Sequence, residues 1–365
     1  MILERQNCFD LLRLLLAYGV LITHGYLIGG YSATEPSAWL TKSQTNLGEI
    51  SVMGFFAISG YLIPASFERS KNILIFISHR FFRLVPGFWF CLIVTSFFFA
   101  PLIFLATHRS LSDFPITGHE GAIGFIANNA LVQVGQWNIA GVLNFAAYNE
   151  SLNGSLWSLF PELQCYFFTI IAGYFGLLKK NRVLLLSILS YLLVLFAINS
   201  YSPVRYGPTI LVLGAALKLY TSYVSGMTLY VFRDFIEIDH RGIFFLLGLF
   251  MLLLKFGGYH LISPILIATL LIKLAEMFKC HLKYDISYGI YIYGFPVEQL
   301  LYHWFGSSLH VSVYLLFSIL GASFFGSLSC LLSCCAFNLY IERGQDARTT
   351  IILRFPLVQS SCASA

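Results

Sequence analysis

The sequence predicts an all-α fold, a polytopic integral membrane bundle of about ten transmembrane helices. Three observations carry this: the composition, the spacing of the apolar runs, and the side on which the basic residues fall. Apolar residues make up 58% of the 365-residue chain and charged residues 11%, with a mean hydropathy of +0.76. A soluble domain carries roughly twice that charged fraction. Phe (35) and Tyr (21) are abundant, as aromatic rings are at helix interfaces and at the headgroup level of a bilayer.

A helix crossing the hydrocarbon core takes about 20 mostly apolar residues. Such stretches fall at 8–30, 47–66, 84–107, 156–178, 183–200, 207–232, 242–256, 258–278, 284–306 and 311–340. An even number of spans puts both termini on one side. With that side cytoplasmic, fifteen basic residues fall inside, among them Arg69, Arg80, Arg83, Lys179, Lys180, Arg182, Arg233 and Arg343. Only Lys42, Arg109, Arg205 and Lys255 fall outside, and Arg13, Lys218 and Lys273 lie within spans. This is the asymmetry of the positive-inside rule. The first span is too long for the apolar region of a signal peptide and contains Arg13 and His24. The longest connection, about 108–155, is extracytoplasmic and includes a modestly apolar piece at 121–134, read as an interfacial helix.

There is no basic run of the kind that reads nucleic acid. The eight cysteines lie mostly in apolar stretches and none forms a metal spacing, so no metal is expected. Cys330, Cys334 and Cys335 fall at helical spacing and read as a packing seam.

Ionisable groups inside spans cost several kcal/mol each and usually mark function. Arg13 and His24 are eleven residues apart, which is three turns plus about 20°, so they share a helix face about 16 Å apart along the axis. Asp10, three residues before Arg13, is placed to pair with it. His24 reads equally as a structural hydrogen-bonding group and as a general base, the usual work of a neutral imidazole. In the second span Gly54, Ser59 and Gly60 first suggest close approach of a neighbouring helix. Arg80 and Arg83 share a helical face at the membrane surface, a spacing suited to bidentate phosphate binding, though on the residues alone ordinary positive-inside anchoring is the first reading. Glu162 opens the fourth span close to the outer surface, where a carboxylate caps a helix, pairs with a basic group or faces a polar cavity. Asp285 reads as an N-cap of the ninth span.

Four stretches together resemble the membrane acyltransferase-3 family, integral membrane enzymes that O-acylate carbohydrates. They are D-L-L-R followed by T-H, from Arg13 to His24; F-F-A-I-S-G-Y-L-I at 55–63 with R-F-F-R-L-V-P at 80–86; S-L-W-S-L-F-P-E at 155–162; and D-I-S-Y-G-I-Y-I-Y-G-F-P-V at 285–297. They run in the family's order across nearly the whole chain. Two departures stand out. Many members carry a histidine where this sequence has Gly294-Phe295 before Pro296, and the family's C-terminal Glu-Arg-Pro is here Glu342-Arg343-Gly344.

The resemblance implies a membrane acyltransferase domain over 1–345, a short cytoplasmic tail at 346–365 and no fused hydrolase-like domain, in the bacterial cytoplasmic (inner) membrane. It implies transfer of an acyl group, most often acetyl from acetyl-CoA, to a hydroxyl of a cell-surface or lipid-linked polysaccharide sugar. Arg80 and Arg83 would hold the donor's phosphates, with Ser59 a hydrogen-bond donor in the pocket. The pantetheine arm would pass Arg13, and His24 would act as general base. Glu162 would orient the sugar or polarise His24. The partners implied are acyl-CoA, the carbohydrate acceptor, the lipid bilayer and the polysaccharide assembly machinery. The rival function is a transporter or flippase of a glycan or lipid-linked sugar, which predicts inverted repeats; the sequence displays none.

Overall fold

The computed structural model describes residues 7–32, 35–70, 72–201, 208–280, 282 and 284–346, and within these every regular element is helical. In chain order they are α1 (Phe9–Ile28), α2 (Pro36–Leu40), α3 (Leu47–Arg69), α4 (Ile73–Val94), α5 (Ala100–His108), α6 (Ala122–Asn129) and α7 (Leu159–Tyr174). There follow α8 (Arg182–Tyr201), α9 (Pro208–Val231), α10 (His240–Phe256), α11 (Tyr259–Met277), α12 (Ser287–Phe305) and α13 (Val311–Asp346). Each of the ten expected stretches falls on helix. Among the described residues six runs are long and apolar enough to cross a membrane: α1, α3, Ile73–His108, most of α8, α11 and the first part of α13. Of the others, α7 and α10 are short, at 16 and 17 residues. The expected tail beyond 346 lies outside the described residues, as do Arg5, Lys71, Arg205 and Lys283 and the side chains of Cys334, Cys335 and Arg343.

Local chemistry sets the helix ends. The Asn46 side chain accepts from Glu49 N at 2.7 Å and Asn72 from Leu74 N at 3.0 Å, so α3 and α4 each start on an asparagine cap. The third span was expected from residue 84. The Asn72 cap instead starts its helix at Ile73, which puts Arg80 and Arg83 inside α4 rather than ahead of the span. A π-helical turn, Thr95–Phe99, joins α4 to α5 just before Pro101, where the missing proline N–H breaks the regular ladder. The interfacial piece is helical only over α6. Beyond it, Asn129 Oδ1 accepts from Gly135 N and Gln136 N at 2.8 and 3.1 Å, which folds the chain back.

α1 packs between α3 and α12, and α12 also lies along α13. Close approaches of backbone define two of the seams. A Cβ on Gly60 would stand 2.0 Å from Tyr223 O, and one on Gly226 would stand 2.0 Å from Ala57 O, so α3 and α9 touch through glycine. Gly289 and Gly326 do the same for α12 and α13. The Gly60 reading from sequence therefore holds. Helix α12 is the most enclosed element: Gly289 to Gln299 are all buried, including Glu298 and Gln299. Interior position explains why so polar a segment stays at membrane depth, since its neighbours shield it from lipid.

Candidate active site

The site has two poles, set by the two ends of α1. At the first, Arg13 lies 3.7 Å from Asp10 and 3.5 Å from Asp285, and Arg83 reaches the same Asp285 oxygen at 3.3 Å. One carboxylate thus bridges guanidinium groups from α1 and α4. Its other oxygen accepts from Ser287 N at 3.2 Å, so Asp285 holds the start of α12 from one residue ahead of the N-cap position, which is Ile286 rather than Asp285. Asp10 and Asp285 offset the two cations, which is how charge is tolerated at this depth.

A cavity opens beside this cluster, lined by Arg13, Arg83, Ser59, Glu162, Tyr166 and Tyr291 among others. Its volume of about 70 Å³ admits a few water molecules or a small acyl group. Glu162 accepts a hydrogen bond from Tyr166 here. Its location differs from the surface position expected. The chain from Ser151 to Ser158, buried except at the half-buried Gly154 and Trp157, enters the bundle through a 3-10 turn, Gly154–Ser158, before α7 begins. That descent carries Glu162 to the Arg13 pole. The signal in the sequence is N-G-S ahead of Leu156, a poor helix start read there as surface.

Arg80 is separate from the cavity lining. Its guanidinium sits 5.8 Å from the Phe76 ring and 5.9 Å from the Tyr166 ring and donates to Ser66 Oγ at 3.2 Å, while its buried Nε has no acceptor among the described residues. Tyr166 therefore links the two arginines' surroundings: its hydroxyl holds Glu162 and its face meets Arg80. Arg83 remains 38% exposed and is the more accessible cation.

At the second pole His24 is only partly buried, and among the described residues it makes no hydrogen bond or ion pair. Its ring meets Phe295 edge-on at 5.0 Å, and Phe295 in turn meets Tyr148 at 5.8 Å. Phe295 belongs to the dipeptide that replaces the histidine of the resembled family. The neighbouring Gly25 packs on α12 and α13: a Cβ there would stand 2.5 Å from Leu315 Cδ2 and 3.2 Å from Glu298 Oε1. Sequence reasoning passed over Glu298 and Gln299, although an ionisable residue within a span was the very signal that picked out Arg13. Among the described residues no three His, Cys, Asp or Glu side chains are grouped to hold a metal.

A membrane-spanning helical bundle with an interior charge cluster at one end of a helix and an unpaired histidine at the other has the parts of an intramembrane enzyme. The chain belongs to the acyltransferase-3 family: residues 6–336 match its acyltransferase domain, and the protein is an acyltransferase. It is 29% identical over 325 residues to an O-acetyl transferase of Shigella phage Sf6, covering 86% of this chain and 89% of that one. No solved structure matches it. The resemblance drawn from the four motifs is thereby established at the level of family and reaction class.

Proposed function

We propose that the protein transfers an acetyl group from acetyl-CoA, bound at the Arg13 pole, to a hydroxyl of a cell-surface or lipid-linked polysaccharide sugar at the His24 pole. The observation that carries this is the division of chemistry along α1. Two cavity-lining cations, Arg13 and Arg83, stand at one end, and an imidazole with no competing partner stands about 16 Å away at the other. The similarity to an O-acetyl transferase supports the choice of acyl group and of an oxygen acceptor. The basic surplus at the Arg13 end supports a cytoplasmic donor side, with both termini cytoplasmic in a bacterial inner membrane.

In this reading Arg83, with Arg80 behind it, takes the donor's phosphates, and the pantetheine arm extends past Arg13 and Ser59 toward His24. His24 removes the proton of the sugar hydroxyl as its oxygen attacks the thioester carbonyl carbon. The carbon–sulfur bond breaks, and the departing thiolate takes the proton back from His24. Glu162 stays beside the arginines, where it orients the donor side of the site. Delivery of the glycan falls to the polysaccharide assembly machinery.

The test uses purified protein in lipid vesicles with acetyl-CoA and the glycan of the parent cell. His24→Ala, present at wild-type level, should abolish glycan acetylation. Undiminished acetylation would remove His24 from the mechanism.

A further inference from the structure

A buried polar atom without a partner carries an uncompensated desolvation cost, and among the described residues seven of fifteen such atoms lie on two adjoining stretches of chain, the others being scattered. Ser151 Oγ, Asn153 Oδ1 and Ser155 Oγ lie on the strap that enters the bundle; both carboxylate oxygens of Glu298, Gln299 Oε1 and His303 Nε2 lie on α12. Ser151, Asn153, Ser155, Glu298 and Gln299 are each no more than 2% exposed.

The two elements are stitched together in a way that leaves these atoms over. Gln299 Nε2 donates to Tyr148 O at 2.9 Å and Ser151 O at 3.0 Å, and Asn153 Nδ2 donates to Ile292 O at 2.9 Å. Both amides spend their N–H groups on the fold and keep a fixed carbonyl oxygen in reserve. The remaining inventory is a carboxylate, two amide oxygens, two serine hydroxyls and a ring nitrogen, with no lysine or arginine among them. A set made mostly of acceptors suits a ligand that brings O–H donors. None of these groups supplies the positive charge that a phosphate calls for, which lies with the arginines of the other pole. Phe295 lies in the midst of the set, on the turn of α12 that faces both Gly154 and the His24 ring.

We propose that the 151–155 strap and the Phe295–His303 face of α12 form the acceptor subsite, which takes an uncharged, hydroxyl-rich sugar ring and presents one hydroxyl to His24. This rests on the reading of His24 as the base. It moves sugar recognition from Glu162 to Glu298, Gln299 and Asn153.

Removing an atom that has no partner gives the test its leverage. If these groups serve only the fold, Ser151→Ala/Ser155→Ala relieves a cost, Glu298→Gln removes the acid while keeping its size, and both leave transfer intact. If they bind sugar, melting temperature holds or rises while acetylation at limiting glycan falls about tenfold or more, with the KM for acetyl-CoA unchanged. A second readout needs no chemistry. Deacetylated oligosaccharide released from the parent cell's polysaccharide should raise the melting temperature of wild-type and His24→Ala protein, and should fail to do so for Ser151→Ala/Ser155→Ala/Glu298→Gln. No shift in wild type, or transfer undiminished in both variants, overturns the subsite. Full activity of His24→Ala with the shift intact overturns the base and leaves the subsite standing.

Discussion

Asp285 Oδ2 lies 3.5 Å from Arg13 Nη1, so the residue that holds the first N–H of α12 also fixes the charged end of α1. The same oxygen meets Arg83, and three elements are held by one carboxylate. Asp285→Asn leaves two arginines facing each other without their shared counter-ion. Breaking a fully buried pair costs about 3–5 kcal/mol. Asp285 is 23% and Arg83 38% exposed, and solvent screening lowers the expected loss to roughly 1–3 kcal/mol. The melting temperature should drop and donor KM rise, with Asp285→Glu intermediate; an unchanged melting temperature would show that the cluster is not structural.

The two arginines of α4 should separate kinetically. Arg83 is accessible and borders the cavity, whereas Arg80 is packed on Phe76 and Tyr166. Arg83→Ala should raise the KM for acetyl-CoA about tenfold, with kcat little changed, the signature of lost ground-state binding. Arg80→Lys keeps the charge but loses the planar stacking, so it should lower stability by about 1 kcal/mol with a smaller effect on donor KM. Equal donor KM effects from both would mean that they grip one phosphate together.

How far the sequence foretold these contacts depends on whether a contact runs along one helix or between several. Arg13 and His24 share α1, and helical periodicity alone placed them on one face at a known separation. Gly60 was readable because a small residue in a span has few other uses, although what it packs against, the backbone of Tyr223 on α9, was not. Glu162 was misplaced because its depth is set by the buried strap before it, a segment whose polarity resembles that of a surface loop. Glu298 went unremarked because the significance of a carboxylate at that position comes from Gly25 and Leu315, on two other helices. Arg80 and Arg83 are a single turn apart, yet Tyr166 of α7 occupies the space beside one of them, and nothing local announces it.

The seam between α3 and α9 gives a test of packing alone. A Cβ on Gly226 would stand 2.0 Å from a backbone oxygen, which a side-chain rotation cannot relieve. Gly226→Ala should therefore cost about 1–3 kcal/mol or more through forced separation of the helices, and Gly226→Leu should prevent accumulation in the membrane. Detergent melting curves and membrane yield measure both. A Gly226→Leu protein of normal yield and melting temperature would mean that the two helices do not touch in the bilayer.

Phe295 offers the sharpest check on how His24 is held. The imidazole has a ring contact with Phe295 and no hydrogen bond among the described residues, so its orientation depends on packing. Phe295→Ala should cost about 3–5 kcal/mol through the cavity left between Gly154, Tyr148 and the histidine. Phe295→Leu retains most of the volume but loses the aromatic edge, and its stability cost should be smaller. If Phe295 orients the base, the leucine variant should still lose about tenfold or more in kcat, because a small displacement of a catalytic group is costly, while its KM for acetyl-CoA stays at the wild-type value. A leucine variant with wild-type kcat would show that the imidazole is positioned without the ring. The histidine would then owe its placement to α1 alone.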